Sequence, residues 1–539
     1  MLPAVLGEGG ERGEGGDGLS NLAETLQRSR DWTRANGLLV GAAALVGAVV
    51  TLHYVDLGSA PSGFFSDEAS VAYDAQGIAT DWRDEHGDLL PIFFRSFGQW
   101  RGSLFVYAVA ALFRVAGPGV VQARAVSATL SLLTAALLAL LVRRLFGADW
   151  LALGTFAVTA VTPWLFTTGR FAFEPVLLPA VIAGFLLLWH MADRTGHGYL
   201  GAAAGFVLGL SVYAAVIAWL LAPLLCLALV VAELPRVRWR LLLVTALGVD
   251  VALLPMLFFL PAHPGMLTAR YQTVQVWLPG HPLLENLGRS WRVYTSGFSP
   301  DYLFAHAPWV LGGELFIGLA PALAVGLFAL WEVRRERFWR LVLIGLLVAP
   351  VPSALASDFS HEIRNIEDVP FLLLVAALGA WKLGPLLARE RLVATGAAGL
   401  LAVQAVWFTT DYFTRTPGRM SDWQTAGFQQ AVQASTRLAQ GGPILLEPDL
   451  FSAETYDPQA SQVAFAFFAG EDVRDYRRAG IGAVNAAMAQ PGVVVPGAVV
   501  IALKDHAVPG ARLVTTIWVS YPDDWGQLHS TPAYQVWRE

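Results

Sequence analysis

Apolar stretches of about 20 residues, the length a helix needs to cross a bilayer, recur along this chain from position 37 to position 410. They run roughly at 37–57, 124–142, 150–168, 173–192, 199–214, 215–232, 241–260, 310–331, 340–356, 369–387 and 392–410. Between the fifth and sixth, residues 213–218 leave room only for a tight turn. Charged residues make up 14% of the chain and hydrophobic ones 55%, whereas soluble proteins carry about 25% charged residues. The pattern predicts a polytopic α-helical membrane protein of about 11 transmembrane helices. Cys226 is the single cysteine, so no intramolecular disulfide can form. No basic cluster is interleaved with aromatics, and no nucleic-acid partner is expected.

Charge placement orients the spans. Residues 1–36 are rich in Gly and Glu, lack a signal-peptide pattern, and read as a disordered cytoplasmic tail. Arg28, Arg30 and Arg34 precede the first span and hold that end inside. Arg or Lys then recurs in the connections at 143–147, 193–196, 233–240, 331–340 and 382–391, as an alternating N-inside topology requires. The outer segments are 58–123, 261–309 and 357–370, with the remainder, 411–539, also outside. "GSLFVYAVAALFRVAG" within the first is expected to be an interfacial or re-entrant helix, because a span there would invert the Arg143–Arg144 loop. In 411–539, "GGPILLEP", "GVVVPGAVVIAL" and "ARLVTTIWVS" read as strands and "SDWQTAGFQQAVQASTRLAQ" as an amphipathic helix, giving a soluble α/β domain. "FAFFAGEDVRDYRR" reads as a buried strand followed by a solvated turn. Trp277, Trp291 and Trp309 read as interface anchors in preference to sugar-stacking residues.

The sharpest chemical signal is "SGFFSDEAS" at 62–70, with Asp67 and Glu68 adjacent just past the first span. The plain reading is a helix over 67–83 with Asp67 as its N-cap. The same loop also carries Asp74, Asp81, Arg83, Asp84, Glu85, Asp88, Arg95 and Arg101 among apolar residues, a composition suited to the bilayer surface. "TTGRFAFEPVLLP" puts Arg170 and Glu174 four apart at another outer junction, where they could pair or face one pocket. "HEIRNIEDVP" puts His361 and Arg364 at a third. Taken singly, each is also an ordinary interfacial turn. Together they suit a substrate with a charged head at the interface and a tail in lipid. Arginines hold phosphate through bidentate charge-assisted contacts, and a carboxylate can accept a hydroxyl proton. Asp250, inside a span, reads as a helix-packing hydrogen bonder in preference to a cavity residue.

An acidic pair after the first span, R-x-x-x-E before the fourth, a late H-x-x-R loop and a C-terminal soluble domain resemble the GT-C glycosyltransferases. The pattern is similar to the protein O-mannosyltransferases and the aminoarabinose transferases that modify lipid A. The resemblance spans roughly 37–410 and is densest over 62–147. It implies transfer of a sugar from a polyprenyl-phosphate donor to an acceptor hydroxyl on a lipid, glycan or protein, at the outer face of a bacterial inner membrane. It assigns Asp67 as the catalytic carboxylate, acting as general base in an inverting transfer, and Glu68 as the adjacent catalytic acid. Arg170, Arg364, His361 and Arg101 are then expected at the donor phosphate, with Glu174, Asp88 and Arg95 supporting or meeting the acceptor. A divalent cation, magnesium or manganese, is a candidate cofactor at Asp67 and Glu68. The chain departs from the pattern at "FGQWRGSL", where relatives carry a Lys-Pro or Pro-Pro element and Arg101 stands instead. Two other classes fit the span count: a transporter or flippase of a lipid-linked or small polar substrate, and a non-catalytic envelope assembly protein. A transporter would gather polar residues near midplane on broken helices; here the ionisable residues gather at one face.

Overall fold

The computed structural model describes residues 36–307, 312–356, 361–448, 450–451, 459–479, 486–489, 495–522 and 527–539. Most of the N-terminal tail and Trp309 lie outside them. The chain divides into two compact units, Met1–Leu52 and His53–Glu539. In the first, the described residues form the body of the helix Gly37–Tyr54, whose sequence is apolar on every face.

The second unit is mainly helical. Six helical stretches among the described residues are long and apolar enough to cross a membrane: Val120–Phe146, Glu174–Thr195, Trp239–Ala262, Arg337–Leu355, Ile366–Arg389 and Arg391–Thr414. Shorter apolar helices include Asp149–Val161, Gly198–Tyr213, Ala218–Ala232 and Ile317–Val333. Each stretch anticipated as a span contains a helix, and the chain is a multi-pass membrane protein. The anticipated interfacial element is the helix Ser103–Ala116. At 14 residues it is about 21 Å long, short of the roughly 30 Å hydrocarbon core.

Local chemistry sets the elements around the acidic pair. The helix Ser66–Asp81 starts after Phe65 and ends at Trp82, whose N–H returns to the Ile78 carbonyl from a left-handed φ of 67°. Two acids in its first turn face the positive end of the helix dipole. Asp67 therefore sits inside the helix and is not its cap. The capping contact comes from Glu68, which accepts the Phe65 N–H at 3.1 Å. A two-stranded antiparallel hairpin follows, β1 (Phe93–Ser96) against β2 (Gln99–Gly102). Its two-residue turn has positive φ at both Phe97 (49°) and Gly98 (71°), the pattern of a type I′ hairpin that matches strand twist.

The C-terminal segment is α/β as anticipated. Its sheet has the order β4-β3-β5-β7-β6, with β3 Ile444–Leu446, β4 Ala486–Met488, β5 Val499–Leu503, β6 Arg512–Pro522 and β7 Leu528–Arg538. The β4, β3 and β5 strands are parallel; β7 runs antiparallel to β5 and β6. The expected amphipathic helix is Phe428–Ala439. "FAFFAGEDVRDYRR" is a correction: it forms two helices, Gln459–Ala469 and Val473–Ala479. The first packs on the helix Ser66–Asp81 with Val463, Phe465 and Phe467 buried. An apolar run this short does not distinguish a buried helix from a buried strand. Asp250 is a second correction, since it is exposed on the helix Trp239–Phe259 and does not pack.

One hydrophobic core joins three regions distant in sequence. Ala69, Val71 and Tyr73 of the Asp67 helix meet Phe105, Val109 and Phe113 of the next helix, and Phe428, Val463, Ile501 and Val536 of the C-terminal segment. The Asp67 helix is thus a core element, held on several sides.

Candidate functional site

The two adjacent acids have different surroundings. Glu68 is buried and forms a bidentate pair with Arg124, Nε to Oε1 at 3.0 Å and Nη2 to Oε2 at 2.9 Å. Its oxygens also accept the backbone N–H groups of Ala172 (2.6 Å) and Phe65 (3.1 Å). Arg124 uses its other donors on the carbonyls of Leu57, Pro61 and Gly63 at 2.7–3.0 Å. This pair ties the loop at residues 57–63 to the helices Ser66–Asp81 and Val120–Phe146. Both Glu68 oxygens are saturated by N–H donors, so the candidate divalent cation does not fit between Asp67 and Glu68. Among the described residues no group of three His, Cys, Asp or Glu side chains is arranged to hold a metal.

Asp67 remains 22% exposed, with Arg101 Nη2 at 3.4 Å from Oδ1 and Arg101 Nη1 at 3.3 Å from its carbonyl. Arg101 is buried, reaches the Ser96 hydroxyl across the hairpin, and so fixes the carboxylate from one side. Ser96 in turn meets Ser70 at 3.0 Å. Positions 67, 70 and 74 share one helix face, so a polar line runs from Asp67 along the hairpin to Asp74.

At the far end of that line Asp74, Asp84 and Glu85 are all buried. Asp74 Oδ1 accepts the Glu85 N–H at 3.3 Å, and Asp84 caps its own turn by accepting from His86 and Asp88 at 2.9 and 2.8 Å. Burial pushes the Asp74 carboxyl up to about 8 and raises Glu85 well above the usual carboxylate range. Burial also depresses His86. Arg477 closes the loop from the C-terminal segment, donating to the carbonyls of Asp84 (2.7 Å) and Arg83 (2.6 Å) and to Asp81 Oδ2 (2.5 Å). Asp88 and Arg95 pair at 3.0 Å on the surface.

Arg170 is fully buried and donates to the carbonyls of Ala60 (2.9 and 3.0 Å), His53 (3.1 Å) and Val55 (2.6 Å). It lies over the rings of Phe166, Tyr412 and Phe413. The sequence suggested a phosphate ligand at this position; the guanidinium is instead enclosed and spends its donors on the carbonyls of residues 53, 55 and 60. Glu174 is buried at the start of a 3₁₀ turn leading into the helix Leu177–Thr195. Arg364, half-buried, ends the short helix His361–Arg364, and its carbonyl accepts from Ser353. The His361 side chain lies outside the described residues. Trp277 donates to Ser290 at 2.8 Å, and Trp291 is exposed.

Sequence reasoning missed Arg124, Arg477 and the partnership of Asp74 with Glu85. Arg124 had a signal: it is a lone cation in the first turns of an apolar helix whose other basic residues, Arg143 and Arg144, lie at the opposite end. Arg477 had none, since its partners lie far away in sequence.

No protein-family model matches the chain, and no curated protein matches its sequence. Its fold, however, is found among solved structures. ArnT from Cupriavidus metallidurans in the apo state matches with a TM-score of 0.59 at 14% identity, over 94% of this chain and 98% of that one. The same protein bound to undecaprenyl phosphate matches with a TM-score of 0.55 at 15% identity over the same shares. The archaeal oligosaccharyltransferase AglB from Archaeoglobus fulgidus is a looser likeness, with a TM-score of 0.47 at 14% identity over 80% of this chain and 64% of that one. The chain therefore shares the fold of ArnT over nearly its whole length.

Proposed function

We propose that the protein is a polyprenyl-phosphate-dependent glycosyltransferase with Asp67 as its general base. One observation carries the reading: of two adjacent acids in the first turn of a buried helix, Glu68 is committed to Arg124 while Asp67 stays accessible beside Arg101. The fold supports it, because ArnT adopts the same architecture and has been seen with undecaprenyl phosphate bound. The sugar and the acceptor are not assigned by this reading.

The chemistry needs one carboxylate. A lipid phosphate is a good leaving group once its charge is met, so no acid has to protonate it, unlike the leaving alkoxide of a glycoside. Asp67 takes the proton of the acceptor hydroxyl as that oxygen attacks the anomeric carbon from the side opposite the phosphate. The single displacement inverts the anomeric centre. Arg101 orients Asp67 through the 3.4 Å contact, and Arg364 is the cation we assign to the departing phosphate. Glu68, Arg124 and Arg170 act by holding the loop in which Asp67 begins its helix. In this arrangement the N-terminus lies in the cytoplasm, and the segment from 411 onward lies outside the cytoplasm with the site.

The test is turnover of radiolabelled polyprenyl-phosphate sugar by purified protein. Asp67→Asn is expected to lower kcat by about 10²–10⁴-fold, the usual contribution of a positioned base, while donor affinity and thermal stability stay close to those of the native protein. An Asp67→Asn variant with native turnover would end this assignment.

A further inference from the structure

Asp74 and Glu85 are both buried and joined by the Glu85 N–H, which donates to Asp74 Oδ1 at 3.3 Å, and the carboxyl oxygens Oδ2 of Asp74 and Oε2 of Glu85 have no hydrogen-bond partner. Two ionised carboxylates in that position would each pay the desolvation penalty and repel one another. A proton between them removes both costs. Arg101 stands between this pair and Asp67, with its Nε buried and likewise unpartnered. We propose that Asp74 and Glu85 share one proton and that this shared proton leaves Arg101 turned to Asp67, which makes the pair a positioning device for the base. The inference rests on the reading of Asp67 given above.

The surroundings favour a proton over a metal ion or further cations. The charges that reach Asp74 and Glu85 are Arg101, Asp84, Arg95 and Arg477, with His86 at 3.9 Å from Glu85. Arg95 is paired with Asp88, and Arg477 with Asp81 and two carbonyls. Of the helices packed on this one, Ser103–Ala116 places Arg114 over the Trp82 ring and sends the Tyr107 hydroxyl to the Pro91 carbonyl. Val120–Phe146 commits Arg124 to Glu68, and Gln459–Ala469 carries no titratable side chain. In the last, Val473–Ala479, Arg474 and Asp475 face Asp472 and Arg478. Arg101 is thus the cation poised to follow a new negative charge. When the proton leaves, Asp74 and Glu85 together carry two negative charges against one at Asp67, and the guanidinium is drawn away from the base. Asp74 titrating at about 8 puts this change within reach of a pH profile.

The experiment uses full-length protein in detergent, native and with Asp74→Asn or Glu85→Gln, and reads two quantities. The first is thermal unfolding against pH, which does not depend on catalysis. The folded state keeps a proton that an unfolded carboxyl gives up near pH 4. The unfolded state therefore binds fewer protons across this range, and native stability falls as pH rises from about 4 to about 8. Either amide substitution flattens that slope. The second is kcat with radiolabelled polyprenyl-phosphate sugar. Native turnover is expected to drop about tenfold between pH 7 and pH 9, as a proton held near pH 8 is lost, and less than about twofold in either variant. An unflattened stability slope in both variants overturns the shared proton. A flattened slope with an unaltered alkaline limb overturns the link to Arg101. Native protein without transfer activity at any pH removes the reading of Asp67 instead, while the unfolding arm still judges the pair.

Discussion

Glu68 and Asp67 are one residue apart, yet substitutions at them should be felt in different measurements. Glu68→Gln removes one charge of a buried pair and leaves Arg124 enclosed without its counter-ion. Breaking such a pair costs about 3–5 kcal/mol, so the midpoint of thermal unfolding is expected to fall markedly, with activity lost through unfolding. Asp67→Asn alters a partly exposed group whose contact with Arg101 is long, and should change turnover but little else. A Glu68→Gln protein as stable as the native one would show that the pair does not hold the loop. The adjacency of the acids was legible in the sequence; their different surroundings were not. It depends on which carboxylate Arg124 reaches, and that is decided by how the helix beginning at Val120 packs beside the loop. The same limit explains Arg170, where a cation at an outer turn suggests phosphate but three-dimensional packing gives it carbonyls.

At the scale of elements, the start of the Asp67 helix depends on backbone shape at Gly63. This residue has φ of +77°, and a Cβ there would lie 2.0 Å from the Gln424 carbonyl oxygen. Its own carbonyl accepts from Arg124. Gly63→Ala therefore meets both a strained left-handed conformation, about 1–3 kcal/mol, and a backbone clash that must push residues 424–426 away. Lower thermal stability and faster proteolysis near residue 424 are expected; equal resistance of variant and native protein would contradict the close approach. Helices of the membrane part were legible because a hydrophobic stretch of that length has one outcome in lipid. The hairpin at 93–102 was not read, since its turn pairs Phe97 with Gly98 in place of the Asn-Gly or Asp-Gly signal. The helix Gln459–Ala469 was misread because the stretch from Val463 to Ala469 holds only apolar and small residues and so shows no helical period.

Across the whole molecule, the C-terminal sheet and the Asp67 helix share one core. Removing everything after Thr414 would expose the apolar side of that helix and release the contacts that Arg477 and Gln424 make with its two ends. The truncated chain is expected to aggregate in size-exclusion chromatography and to be cut by protease within Ser66–Asp81. A monodisperse, active truncation would show that the segment is dispensable. The existence of a C-terminal α/β segment was legible from its strand runs; its grip on the loop after the first helix was not, because nothing in local sequence couples residue 64 to residue 425. That coupling also orders events during synthesis. The ribosome delivers Asp67 early, but Tyr534 and Val536 of the last strand, which complete its core, follow on the order of tens of seconds later at about 5–20 residues per second. Until then the nascent chain carries Asp67 on a helix whose apolar side still lacks the contacts of the last strand, so a stalled or clipped product is expected to leave that helix open to protease.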